Sequence, residues 1–138
     1  MASENQWAYE LESTVVALVK AKTLSALKNK YPKIRITDEG ESSGSPAFPT
    51  VYIHLLPPTE RGKTLEGRTV NAVLATFQID VTTNTGKADC RRVTSAVVDV
   101  FKTMRFSGVQ LPEYSVADKI YKGTARMSRT IAANDRLL

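Results

Sequence analysis

The chain has 138 residues and a net charge of +5, with 42% apolar and 24% charged residues. This length and composition predict a soluble, globular, single-domain protein spanning residues 1–138. No apolar run approaches the roughly 20 residues that a membrane-spanning helix needs, so we expect no membrane partner. The N-terminus MASENQW lacks the pattern of a secretory signal, and we therefore expect a protein made in the cytoplasm.

The first predicted element is a long amphipathic helix over residues 4–31. Apolar residues recur at steps of three and four from Trp7 to Tyr31, which is typical of one helical face. Val16 and Val19 fall off this stripe. We interpret these two valines as candidates for burial by a second subunit, and thus as part of an assembly interface.

Two strands are predicted next. Ile34 and Ile36 alternate with polar residues, which indicates a short half-buried strand. A loop rich in Gly and Ser precedes residues 51–56. The odd-numbered and the even-numbered residues of this run are both fairly apolar, and this pattern is typical of a central strand covered on two faces. Pro57 and Pro58 should end that strand, because proline cannot donate to a ladder.

The connection 57–68 has no core-facing pattern and is rich in charge. It precedes a run from Thr69 to Thr83 in which apolar residues alternate with others. This run is longer than a strand of a small sheet requires. We therefore predict that 57–68 protrudes as a loop or as the tip of an extended hairpin arm. Its charged residues are candidates for an assembly interface: Glu60, Arg61, Lys63, Glu66 and Arg68.

A second helix is predicted over about 86–105, with an apolar stripe from Val93 to Met104. Segment 107–118 shows no clear period and is predicted to be a loop. A last strand is expected over about 119–132, followed by a flexible tail at 133–138.

The element order is therefore α-β-β-β-α-β. Strands joined by loops favour antiparallel neighbours, and helices with a single apolar stripe must pack on the sheet. We predict an α+β fold, with a small mixed, mostly antiparallel β-sheet of about four strands packed by two α-helices and carrying the hairpin arm.

The residues available for catalysis are few. His54 is the only histidine and lies in an apolar strand, and Cys90 is the only cysteine and lies on a predicted helix. A zinc site needs three or four suitable ligands, and the acids at 38–41 are typical of a solvated loop. We predict no catalytic residue, no metal and no cofactor, so an enzyme ranks third among the functional hypotheses.

Basic residues on the second helix and the last strand favour a different class of function. If they met on one face, they would contact nucleic-acid phosphates. No helix-turn-helix, zinc finger or aromatic stacking ladder accompanies them. A small basic nucleic-acid-binding module therefore stays an alternative, and its candidate surface comprises Arg91, Arg92, Lys102, Arg105, Lys122, Arg126 and Arg129.

The order of elements and three short motifs together resemble those of a known family. The motifs are FPTVY at 48–52, QIDVTT at 78–83 and the valine stripe that begins at Val93. With the long first helix, the polar arm and the basic last strand, this pattern resembles the tail terminator and tail-completion proteins of long-tailed bacteriophages. The resemblance covers roughly residues 4–132.

The resemblance implies a structural virion protein at the head-proximal end of the tail. Such subunits assemble into a ring, commonly a hexamer, that caps the tail tube and stops its polymerisation. The implied partners are further copies of the chain, the major tail tube protein and the head–tail connector, while genomic DNA passes without sequence-specific binding. A head-side neck or connector component is the alternative within the same class.

Overall fold

The structure, a computed structural model, describes residues 5–38, 48–61, 69–108, 111–133 and 135. Helices cover one side of a mixed sheet, so the predicted α+β class is confirmed. The helices are α1 (Gln6–Tyr9), α2 (Leu11–Leu27) and α3 (Lys87–Thr103). The strands are β1 (Arg35–Thr37), β2 (Thr50–Leu55), β3 (Thr59–Arg61), β4 (Ala72–Thr83), β5 (Ser107–Gly108), β6 (Glu113–Ala117) and β7 (Ile120–Ala132).

The sheet is built around the antiparallel pair β4–β7. Its main order is β1-β2-β4-β7-β5, with β3 paired to β4 and β6 paired to β7. The β4–β7 ladder runs from Ala72 opposite Ala132 to Thr83 opposite Tyr121. Only β1 and β2 are parallel, so the predicted mostly antiparallel character is confirmed.

Strict alternation along β4 explains the two faces of the sheet. Every second residue is buried on the helix side, namely Val73, Ala75, Phe77, Ile79, Val81 and Thr83. The residues between them are only half-buried and lie on the face away from the helices. The prediction that both faces of β2 are covered is wrong, because Tyr52 and His54 lie half-buried on that second face.

The predicted first helix is two helices, with a break at Glu10. In α2 the buried stripe recurs every four residues from Leu11 to Leu27 and includes Thr23, a polar residue that the apolar pattern omits. Val19 is fully buried and Val16 is 8% exposed, because α2 packs against both α3 and the sheet. The interpretation of these valines as an interface for a second subunit is therefore wrong, since they belong to the core.

An aromatic cluster joins α3 to the sheet. Phe101 on α3 lies edge-on to Phe106 at a centroid distance of 5.1 Å, and Phe77 of β4 contacts both rings. Val93 and Val97 are fully buried beside them. The predicted helix over about 86–105 is thus confirmed, and its stripe provides much of the core.

The prediction of a loop over 107–118 is wrong. Both β5 and β6 pair antiparallel with β7. Most of β6 is exposed, and the apolar residues on its helix side are only two, Tyr114 and Val116, which is too short a pattern to predict a strand. A tight turn at Asp118 and Lys119, with φ of 50° and 66°, joins β6 to β7. The sheet consequently has seven strands within the described ranges, rather than about four.

Candidate assembly surfaces

The predicted arm begins as an extension of the central hairpin. All three residues of β3 are exposed and pair with Ala72–Leu74 of β4, beyond the end of β2. Glu60 and Arg61 therefore lie on an exposed strand, as an arm requires. Lys63, Glu66 and Arg68 lie outside the described residues, and the role of the arm in assembly stays a prediction.

Two side chains from the N-terminal segment hold the base of the arm. Glu12 accepts a hydrogen bond from the backbone N–H of Leu55 at 2.7 Å. Asn5 accepts one from the backbone N–H of Val70 at 2.9 Å through its side-chain oxygen. Because the two bonds flank the arm in sequence, they fix its base against the body.

The sheet face away from the helices is mostly polar. The register places the outward residues of β4 and β7 opposite one another, as described by Thr76–Ser128, Gln78–Arg126, Asp80–Thr124 and Thr82–Lys122. Ala72 and Leu74, at one end of β4, are the apolar exceptions on that strand. No helix of the described chain covers this face, so short polar side chains meet solvent along two adjacent strands.

Asp80 is the centre of a hydrogen-bonded network on this face. Its carboxylate accepts hydrogen bonds from Thr124 at 3.0 Å and from Gln78 at 3.2 Å. Lys122 and His54 each place a nitrogen 3.9 Å from it. The negative charge of Asp80 is therefore stabilised by these neighbours, and the polar side chains of this face interact with one another.

The only histidine and the only cysteine lie on opposite faces of the sheet. His54 stacks on Tyr52 with centroids 4.6 Å apart, on the polar face. Cys90 is buried in α3, with its sulfur 3.8 Å from the carbonyl oxygen of Val81. Burial raises the pKa of the Cys90 thiol, which stays protonated at neutral pH. These two groups cannot act on one substrate.

The basic residues do not meet on one face. Arg91, Arg92 and Lys102 are exposed on α3, on the helix side of the sheet. Lys122 and Arg126 lie on the polar face, across the thickness of the sheet. The hypothesis of a single phosphate-binding surface is therefore wrong in its geometry.

Arg129 has a structural role instead. Its side chain is only 10% exposed and donates a hydrogen bond to Asp135 at 2.6 Å and another to the carbonyl of Met104 at 3.1 Å. Arg105 lies 3.4 Å from the same carboxylate. Burial by itself would raise the pKa of Asp135, but the Arg129 hydrogen bond, a backbone N–H and the two cations lower it. These hydrogen bonds and ion pairs hold the segment after β7 against the end of α3.

A second polar cluster, which the sequence reasoning missed, joins the segment after α2 to α3. Tyr31 donates a hydrogen bond to Asp89 at 2.8 Å and accepts one from Arg92 at 3.2 Å. Thr85 donates to the other oxygen of Asp89 at 2.7 Å. The hydrogen bonds from Thr85 and Tyr31 lower the pKa of Asp89. Only the spacing of Thr85 and Asp89 at the start of a helix gave a signal for this cluster.

The described ranges contain no group of three or more His, Cys, Asp or Glu side chains placed to hold a metal ion. Glu39 and Glu41, two of the loop acids, lie outside those ranges. None of the described helices is long and apolar enough to cross a membrane.

No protein-family model matches the chain, and no curated protein matches its sequence. The resemblance to tail terminators therefore rests on the sequence pattern alone, and the function that it implies is a proposal.

Proposed function

We propose that the chain is a ring-forming structural subunit of a bacteriophage tail. In this role the ring caps the tail tube, ends its polymerisation and joins the tail to the head connector. The observation that carries the proposal is the shape of the sheet: a long β4–β7 ribbon with helices on one face, an uncovered polar face on the other, and an exposed arm at one end.

The edges of this sheet suit ring formation. Within the described ranges, β1 ends the sheet on one side, while β5 and β6 end it on the other. An unpaired edge recruits strands, and a contact between two different surfaces of identical subunits closes into a ring when the rotation allows. The exposed strand β3 of the arm would pair with the β1 edge of the next subunit, so this contact leaves the β6 edge unoccupied.

The uncovered face suits a water-filled passage for DNA. Its side chains include many hydroxyls and amides, and its cations bind within the face: Lys122 lies 3.9 Å from the Asp80 carboxylate, and Arg126 donates a hydrogen bond to Gln78. A surface of small, internally bonded polar groups offers phosphates little net charge to bind. DNA would therefore pass along it without adhering.

The alternatives are judged against the same surfaces. A neck or connector ring on the head side would use identical edges, and only its position in the particle differs. The nucleic-acid-binding module loses support because its basic residues are divided between two faces. Steeply salt-dependent binding to duplex DNA would favour it again.

The test is a tube-capping experiment with the tail tube protein encoded by a neighbouring reading frame. Purified chain is added to growing tubes, and their ends and lengths are measured by electron microscopy. We expect a cap at one end and arrest of growth there. Tubes that grow to the same lengths with and without the chain, and carry no cap, would contradict the proposed function.

A further inference from the structure

The strand β6 forms an edge whose outer backbone groups have no strand partner within the described ranges. The turn at 118–119 makes Ala117 and Ile120 a facing pair, and a two-residue turn closes on a hydrogen-bonded pair. Alternation then directs the N–H groups of Ser115 and Ala117 towards β7 and those of Tyr114 and Val116 outwards. The outward groups are ready to pair with another strand.

An apolar pocket lies beside this edge, between β6 and the first turns of α3. It has a volume of about 110 Å³, and its walls include Cys90, Tyr114, Val116 and Tyr121. Val116, one of these wall residues, is itself 60% exposed. The pocket has room for one apolar side chain.

A larger groove, of about 510 Å³, lies on the other side of the Tyr114 ring. Val98 of α3 and Met127 of β7 line it, together with Leu111, which is 86% exposed. The side chain of Arg91 lies over the Tyr114 ring at 5.4 Å. The edge of β6 is thus flanked by two apolar depressions separated by one aromatic ring.

The charge beside the edge decides which partner fits. The wall formed by α3 carries Lys87, Arg91 and Lys102 against the single carboxylate of Asp99. The opposite edge of the sheet is also net basic, because Lys33 and Arg35 lie beside the single carboxylate of Asp38 within the described ranges. Pairing β6 with β1 of another copy would bring like charges together, whereas an acidic strand would be attracted.

We propose that the edge of β6 accepts an added strand from a different protein, an extended segment in which apolar and acidic side chains alternate. The backbone of that segment pairs with the outward groups of Tyr114 and Val116. Its apolar side chains enter the two depressions, and its carboxylates face the cations of α3. This is β-augmentation, in which main-chain hydrogen bonds give affinity and side-chain pockets give specificity.

The experiment uses the full chain and a fluorescent peptide of alternating Glu and Val, with a Lys and Val peptide as the control probe. Binding is measured by anisotropy. Val116→Pro removes an outward N–H and leaves the β7 ladder intact, while Val116→Thr keeps that N–H. We expect binding of the acidic probe only, weakened about tenfold by Val116→Pro and little by Val116→Thr.

A second variant keeps the test decisive if the proline variant unfolds. Arg91→Glu combined with Lys102→Glu inverts the charge of the α3 wall, and we expect it to abolish binding of the acidic probe. No binding by the wild type, equal binding of both probes, or binding unchanged by the charge inversion would overturn the proposal. Loss of self-association in Val116→Pro would also overturn it, because the occupant would then be a second copy. A ring that forms normally in both variants leaves the proposed function intact.

Discussion

At the residue scale, the Asp89 carboxylate joins α3 to the segment after α2 and makes folding sensitive to acid. Its pKa is lower in the folded chain than the ordinary 3.8, because it accepts hydrogen bonds from Thr85 and Tyr31. A group with a lowered folded pKa stabilises the fold fully above its unfolded pKa. That contribution is lost as the pH falls through the folded value.

We therefore predict that Asp89→Asn lowers the free energy of unfolding at pH 7 by about 1 kcal/mol, the scale of a partly exposed charged hydrogen bond. The difference between wild type and variant should shrink as the pH falls below about 4. Thermal unfolding from pH 7 to pH 3 measures it. Asp99→Asn, on the exposed face of the same helix, is the control. A difference that stays constant with pH would contradict this role of Asp89.

Close packing makes Gly123 a second sensitive residue. A Cβ at this position would lie 2.5 Å from the hydroxyl oxygen of Thr94 and 3.3 Å from the Cys90 sulfur. Among the described residues that buried hydroxyl has no strong hydrogen-bond partner, only the weak thiol of Cys90 nearby, so its removal costs little.

We predict that Gly123→Ala destabilises the chain by about 1–3 kcal/mol through overpacking. Thr94→Ala alone should have a smaller effect, and the double variant should recover much of the loss. The recovery appears as a coupling energy in a double-mutant cycle of denaturant midpoints. Strictly additive effects would show that the two sites are not in contact.

At the element scale, the turn between β6 and β7 carries a local strain. Lys119 has a φ of 66°, in the left-handed region that glycine adopts without steric cost. An Asp–Gly pair is a preferred turn for a two-residue hairpin, and Asp118 already provides its first half.

We therefore predict that Lys119→Gly stabilises the chain by about 0.5 kcal/mol, which raises the melting temperature by about 2 °C. Lys119→Ala removes the same side chain without relieving the backbone, and it serves as the matched control. Equal melting temperatures for the two variants would contradict the strain in this turn.

The sequence allowed the elements that alternate or repeat strongly to be predicted. The inward set of β4, from Val73 to Val81, is apolar without exception, and the stripe of α3 follows a helical period. Each of these elements buries one face along most of its length. For such elements, the pattern of apolar residues in the sequence directly indicates which face is buried.

The sequence reasoning failed for elements that bury few side chains and for elements that bury more than one stripe of side chains. β6 lies at an edge with most of its side chains exposed, and its only apolar alternation, Tyr114 and Val116, is too short to be recognised as a strand in the sequence. Val16 and Val19 were misinterpreted because α2 packs against two partners and buries a wider face than one stripe. The Tyr31–Asp89 contact joins residues 58 positions apart, which a local pattern cannot reveal.

At the scale of the whole molecule, the sheet divides the chain into two sides with different properties. One side contains the core, the helices and the buried Cys90, and the other is polar, hydrated and held together by the Asp80 network. The free edges and the arm lie at the borders between them. Such a molecule is suited to contacts through its edges, which is the basis of the proposed ring.

The mass and symmetry of the assembled chain test this account most directly. Light scattering over a range of concentrations gives the mass, and electron microscopy of the protein, alone and on tube ends, gives the symmetry. The account predicts a discrete closed ring with a central opening, six-fold if the resemblance holds in detail. A chain that stays monomeric in solution and also at the ends of tail tubes would contradict it.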